Sequence, residues 1–133
     1  MSLSFIDTNI FMYAIGVSHS CKEPCERLVQ RILEGEVEGI INTEVLQEIL
    51  YRYSSIGKHK IGYQLFDTLI DTFPMIWPVE KEDVVIARQL QQKSDIKTRD
   101  AIHVATMKRN DVNILYSYDK DFDRIAGIKR LEP

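Results

Sequence analysis

Five of the twenty acidic side chains in this 133-residue chain stand where an ordinary surface acid has no reason to be. Asp7 directly follows the apolar run Leu3-Ser-Phe-Ile6, Glu48 is set among Leu46, Ile49 and Leu50, and Asp100 precedes Ala101 and Ile102. Asp119 and Asp121 come just after Asn113-Ile-Leu-Tyr116. Acids are rarely buried without partners, so acids that interrupt core-forming stretches are expected to face a cleft. Carboxylates gathered there repel one another, and either take up protons or are neutralised by a cation. Hard oxygen donors suit Mg²⁺ or Mn²⁺, and magnesium keeps several positions for water and substrate phosphate. A site of four or five acids has room for one or two such ions. Its natural use is phosphodiester hydrolysis, in which the metal activates water and stabilises the leaving oxygen, so the protein needs no nucleophile of its own. The sequence agrees by omission: it has no Gly-rich phosphate loop, no nucleophile elbow and no paired zinc histidines on a helix.

The elements that must carry these acids alternate. Leu3–Ile6 reads as a strand ended by Asp7-Thr8-Asn9, a polar trio that also caps a helix over Ile10–Ile15. A second helix is expected over Glu23–Gly35, with Pro24 in its first turn. Gly39–Ile41 reads as a strand, and Thr43 as the cap of a helix that turns Val45, Leu46, Ile49, Leu50 and Tyr53 inward. Further helices are expected over Ile61–Phe73, from Glu82 and Asp83 onward with Val84, Val85 and Ala87 buried, and over Arg99–Arg109 behind a Thr98 cap. Met75–Trp77, Asn113–Tyr116 and Lys129–Leu131 complete the strands. This order predicts a three-layer α/β/α sandwich on a mostly parallel sheet. Such sheets bind ligands at the carboxyl ends of their strands, the edge where both Asp7 and Asp119 would fall.

Length fits a single domain over residues 1–133. No apolar run approaches the ~20 residues of a membrane span, and no signal peptide is evident, so a cytoplasmic protein is expected. Cys21 and Cys25, with His19 upstream, offer three ligands where structural zinc takes four, and are read as unpaired thiols. The net charge of −3 argues against an indiscriminate nucleic-acid binder. The acidic excess lies in residues 1–50, however, and the remainder is slightly basic, so RNA or DNA is not excluded.

Four segments carry a family resemblance: Phe5-Ile-Asp-Thr-Asn-Ile-Phe-Met-Tyr13, Val45-Leu-Gln-Glu-Ile49, Arg99-Asp-Ala-Ile-His-Val-Ala105 and Ser117-Tyr-Asp-Lys-Asp-Phe-Asp123. In order and spacing they resemble the four acidic motifs of PIN domains, and more closely those of VapC-type ribonuclease toxins of toxin–antitoxin pairs. The resemblance implies that Asp7, Glu48, Asp100 and Asp119 are catalytic, metal-binding acids, with Asp121 as a further ligand. It also implies an endoribonuclease using Mg²⁺ or Mn²⁺, a homodimer, and a cognate antitoxin as partner. Ser117 stands where many relatives have Thr, which keeps the hydroxyl. Two other readings stay open: a PIN nuclease of RNA processing or decay without an antitoxin, and a non-catalytic module of the same shape.

Around these acids, Thr8, Asn9 and Ser117 are candidates to orient a ligand or a phosphate, with capping and turn roles as the alternative. His103, three residues after Asp100, is read as a packed, hydrogen-bonded side chain. Arg52, Lys58 and Lys60, interleaved with Tyr51, Tyr53 and Tyr63, form a candidate RNA surface, and Arg99 and Lys120 belong to a second. The helices bearing Tyr51 and Phe66 are equally candidates for a dimer interface.

Overall fold

The structure is a computed structural model that describes residues 2–133. The chain runs β1 (Leu3–Ile6), α1 (Thr8–Ile15), α2 (Lys22–Leu33), β2 (Glu38–Asn42), α3 (Thr43–Ser55), α4 (His59–Thr72) and β3 (Ile76–Trp77). It continues through α5 (Lys81–Ser94), α6 (Thr98–Arg109), β4 (Ile114–Tyr116), a 3-10 turn (Lys120–Arg124) and β5 (Lys129–Leu131). The alternation expected from sequence is present, with ends moved by a residue or two.

The five strands form one sheet in the order β3-β2-β1-β4-β5. Every neighbouring pair is parallel, with Phe5 opposite both Ile40 and Leu115. An all-parallel sheet must be covered on both faces, and successive strand residues point to opposite ones. On one side Gly39 leaves room where Ile6, Ile32 of α2 and Phe73 close in. On the other, Phe5 packs against Trp77 and the His103 ring of α6, with ring centroids 6.2 and 5.1 Å away. Phe5, Ile6, Ile10, Ile41, Ile49, Leu115 and Phe122 are fully buried. Each such side chain contributes roughly 1.5–3 kcal/mol of burial.

Some local expectations fail for identifiable reasons. Val84 and Val85 are half exposed, while Asp83 takes the buried position on α5. The reciprocal capping box between Glu80 and Asp83 turns the helix so that Asp83 meets Arg109, at 2.8 Å, instead of solvent. Leu50 and Ile70 lie at the edge of their helices' apolar stripes and remain accessible. Asn42, not Thr43, caps α3, because its side-chain oxygen accepts from Val45 N–H at 3.0 Å. Thr98 is already the first residue of α6, and no side chain caps that helix. Between α3 and α4 the chain reverses at Gly57, whose φ of +71° suits glycine. The two helices then touch so closely at Gly62 that a Cβ there would lie 2.8 Å from Tyr53 Cβ.

The strand order reverses at β1, which has β2 on one side and β4 on the other. The crevice at their carboxyl ends is where this class of sheet binds ligands. No helix among the described residues is long and apolar enough to cross a membrane.

Candidate active site

Asp7 leaves β1 at that crevice and caps α1. Its backbone N–H donates to Tyr116 O of β4 at 3.1 Å, which locks the two strand ends together. One carboxylate oxygen accepts from Thr8 N–H at 2.8 Å and the other from the Ser117 hydroxyl at 2.6 Å. The Ser117 oxygen in turn accepts from Asp119 N–H at 3.0 Å, and Asp119 Oδ1 accepts from Asp121 N–H at 2.9 Å. The turn after β4 is thereby tied to the end of β1.

Glu48 and Asp100 enter from α3 and α6 and are both buried. Glu48 Oε1 accepts from His103 Nε2 at 2.7 Å, and Oε2 lies 3.3 Å from Arg99 Nε. The Asn42 side-chain nitrogen is 3.1 Å from His103 Nδ1 and donates to Thr106 Oγ1 at 3.0 Å. Since the Asn42 oxygen is engaged in capping α3, the group facing Nδ1 is an N–H donor, and Nδ1 must be the acceptor. The imidazole proton is therefore on Nε2, directed at Glu48.

Asp7, Glu48, Asp100 and Asp119 all line one cleft of about 430 Å³, within the ~300–1,000 Å³ range of ligand sites. Burial pushes Asp100 up from 3.8 to about 7, and the charges of Asp7 and Asp119 add to burial against the opposing pull of His103 and Arg99. Asp7 is also raised, chiefly by burial, although His103 and the Ser117 hydrogen bond work the other way. Burial lowers His103 while the Glu48 hydrogen bond and the surrounding acids raise it, and this pull toward a second proton is opposed by the Asn42 N–H, which faces Nδ1 and accepts nothing from it.

These residues fit a divalent cation. Asp100 Oδ2, Thr8 Oγ1 and Asn9 Oδ1 are buried with no hydrogen-bond partner, an expensive condition unless something else meets them. Asp7, Asp100 and His103 offer atoms within 4.8 Å of one another. Both His103 nitrogens are already engaged, however, so the histidine orients Glu48, and a cation here would be held by the carboxylates.

Other candidates are placed differently. Arg52 and Arg99 line the cleft together with Lys97. Lys58, Lys60 and Lys120 are exposed and do not line it. Asp121 lies outside it as well, 3.4 Å from Arg124. The tyrosine-rich surface divides: Tyr53 is buried, while Tyr51, His59 and Tyr63 line a separate groove between α3 and α4. Cys21 and Cys25 are free thiols. Met12, Tyr13 and His19 form a wall of the cleft that was not expected. The four-residue step from Asn9 to Tyr13 was a usable helical signal for Tyr13, whereas nothing local marks His19.

Comparison with known proteins agrees with this geometry. The PIN domain family model matches residues 4–128. Ribonuclease VapC13 of Mycobacterium tuberculosis is 39% identical, over 95% of this chain and 97% of the relative. The crystal structure of VapC20 from the same organism, a sarcin-ricin loop cleaving toxin, superposes with a TM-score of 0.79 at 17% identity, covering 98% of this chain and 99% of that one. VapBC2 of Rickettsia felis, solved bound to promoter DNA, gives a TM-score of 0.74 at 17% identity, covering 98% of each chain. The fold, the extent of these matches and the convergence of acids at the end of β1 lead to one conclusion: the chain belongs to the PIN-domain family, among its VapC ribonucleases.

Proposed function

We propose that this protein is a divalent-metal-dependent endoribonuclease, the toxin of a toxin–antitoxin pair. The observation that carries the reading is the arrival of four carboxylates, from four separated segments, in one cleft where a buried Asp100 oxygen has no partner. The relatives named as VapC ribonucleases support RNA as substrate, and a similar solved fold described as a toxin–antitoxin complex, from Klebsiella pneumoniae, supports an antitoxin. Residues 1–133 would act as one nuclease domain in the cytoplasm, as a homodimer.

Asp7, Glu48, Asp100 and Asp119 would hold one or two Mg²⁺ or Mn²⁺ ions, the choice favoured by an all-oxygen donor set. When bound, the metal supplies Lewis-acid activation of water and charge stabilisation at the scissile phosphate. The chain's own residues prepare the rest. Ser117 and Thr8 fix the Asp7 carboxylate, and His103 fixes Glu48. Arg52, Lys97 and Arg99 place positive charge on the rim, where a phosphate backbone must pass. Burial of Asp7, Glu48 and Asp100 excludes competing water from their unused lone pairs.

The test is to express the protein with and without its genomic neighbour and map new RNA ends, then repeat the cleavage with purified Asp7→Asn and Asp100→Asn. Growth arrest with defined cut sites, relieved by the neighbour and lost in both variants, is expected. Unchanged Mg²⁺-dependent cleavage by both purified variants would refute the assignment.

A further inference from the structure

We propose that His19, stacked on Tyr13, is a platform for an unpaired RNA base beside the bond to be cut. The inference rests on the ribonuclease reading and extends it to how substrate is recognised. The two rings are nearly parallel, with centroids 5.4 Å apart and an interplanar angle of 21°. Both line the cleft that contains the four acids. Tyr13 is braced from behind by Tyr118, which meets it edge-on at 5.7 Å. His19 is exposed and lines the cleft, so its ring is accessible to a ligand there.

An exposed ring between two helices normally moves, and a moving ring makes a poor stacking surface, because its ordering must be supplied on binding. This one is held. Cys21 N–H donates to His19 Nδ1 at 3.1 Å, which fixes the ring plane and places the neutral imidazole's proton on Nε2. The turn itself is pinned by Lys22, whose ammonium donates to the carbonyls of Ala14 and Gly16 at 3.1 and 2.8 Å. Met12 and the exposed Val17 add apolar surface beside the rings. Sequence-specific RNA readers use this combination: unstacked bases lie on aromatic or histidine rings while cations hold the backbone. Here the cations Arg52, Lys97 and Arg99 line the same cleft, so a strand crossing the acids can place its phosphates on the cations and a base on His19. The Nε2–H, in the plane of the ring, is a donor available to the adjacent ribose.

The probe is a single-stranded oligoribonucleotide carrying 2-aminopurine, whose fluorescence is quenched by stacking, mixed with the Asp100→Asn protein so that nothing is cut. Saturable quenching is expected. In the same background His19→Ala should abolish the quench and weaken binding on the order of tenfold, within the range of base–aromatic stacking. His19→Phe, which keeps a ring and loses the donor, should restore the quench. RNA that binds by anisotropy with a quench unaffected by His19→Ala overturns the platform and leaves the nuclease reading standing. Wild-type protein that neither binds nor cuts RNA with Mg²⁺ overturns both.

Discussion

Replacing Asp100 with Asn should make the metal-free protein more stable while removing its activity. In the folded chain Asp100 is pushed to about 7 from 3.8. Between those values the unfolded chain has released a proton that the folded chain keeps, so the unfolded state binds fewer protons and stability falls as pH rises. The interval is about three units, and at ~1.4 kcal/mol per unit the full penalty by pH 8 is ~4 kcal/mol. Asp7 is raised in the same cleft and shares in the relief when one charge is removed, so we expect the substitution to recover about half, ~2 kcal/mol. For a domain of this size that is a rise of several degrees in Tm. At pH 5 the unfolded acid has ionised over only about one unit, and the gain should fall to under half its value at pH 8. The assay is denaturant unfolding in EDTA at both pH values, followed by Mg²⁺ titration. Metal should stabilise the wild type, by ~2.7 kcal/mol at a hundredfold excess over Kd, and the variant much less. A variant that is destabilised at pH 8 in EDTA, or that gains equally at both pH values, would show that Asp100 is not held in a repulsive, desolvated setting.

Arg109→Met should cost ~3 kcal/mol by denaturant midpoint, because it strands the fully buried Asp83 carboxylate that Arg109 grips at 2.8 and 3.0 Å; adding Asp83→Leu should recover much of the loss. A thiol reagent at pH 8 should label Cys21 in the folded protein and reach Cys25 only on unfolding, since Cys25 is buried and its thiol is pushed up to about 11. Asn42→Asp keeps an acceptor for Val45 N–H but presents a carboxylate to His103 Nδ1. Nitrogen NMR should then show both imidazole nitrogens protonated, where the wild type has only Nε2 protonated.

What the sequence made legible follows from the range of each signal. The strand–helix alternation and the acids that follow β1 and β4 are local patterns, and Asp7 and Asp119 fall where a parallel sheet puts its ligands. Glu48 and Asp100 could be singled out because they break apolar stripes on their helices. The errors came from interactions between elements. Nothing near Val84 announces that Arg109, on the next helix, will claim the buried position for Asp83. The tyrosines beside Arg52 look like one surface in sequence, yet helix geometry sends Tyr53 into the core, Arg52 to the cleft and Tyr51 to a different groove. His19 depends on a turn whose shape is set by a lysine reaching back to the end of α1.

The acids of the cleft are not held alike. Asp7 is fixed by a helix cap and the Ser117 hydroxyl, Asp119 by the amide of its own turn, and Glu48 by His103. The last of these is indirect. Asn42 must cap α3 with its oxygen, so its nitrogen must face His103, and the tautomer that results can donate only toward Glu48. A backbone requirement at the end of β2 thus sets the orientation of a carboxylate nearly two turns into the next helix. Asp100 differs, because one of its oxygens is buried and unpartnered while its neighbours press it to keep a proton at neutral pH. The fold therefore gives three of the acids hydrogen-bond partners and leaves the fourth with an oxygen that has none. A divalent cation would meet both the charge and the unpartnered oxygen, whereas a neutral side chain at the same position would relieve the charge alone and supply no chemistry.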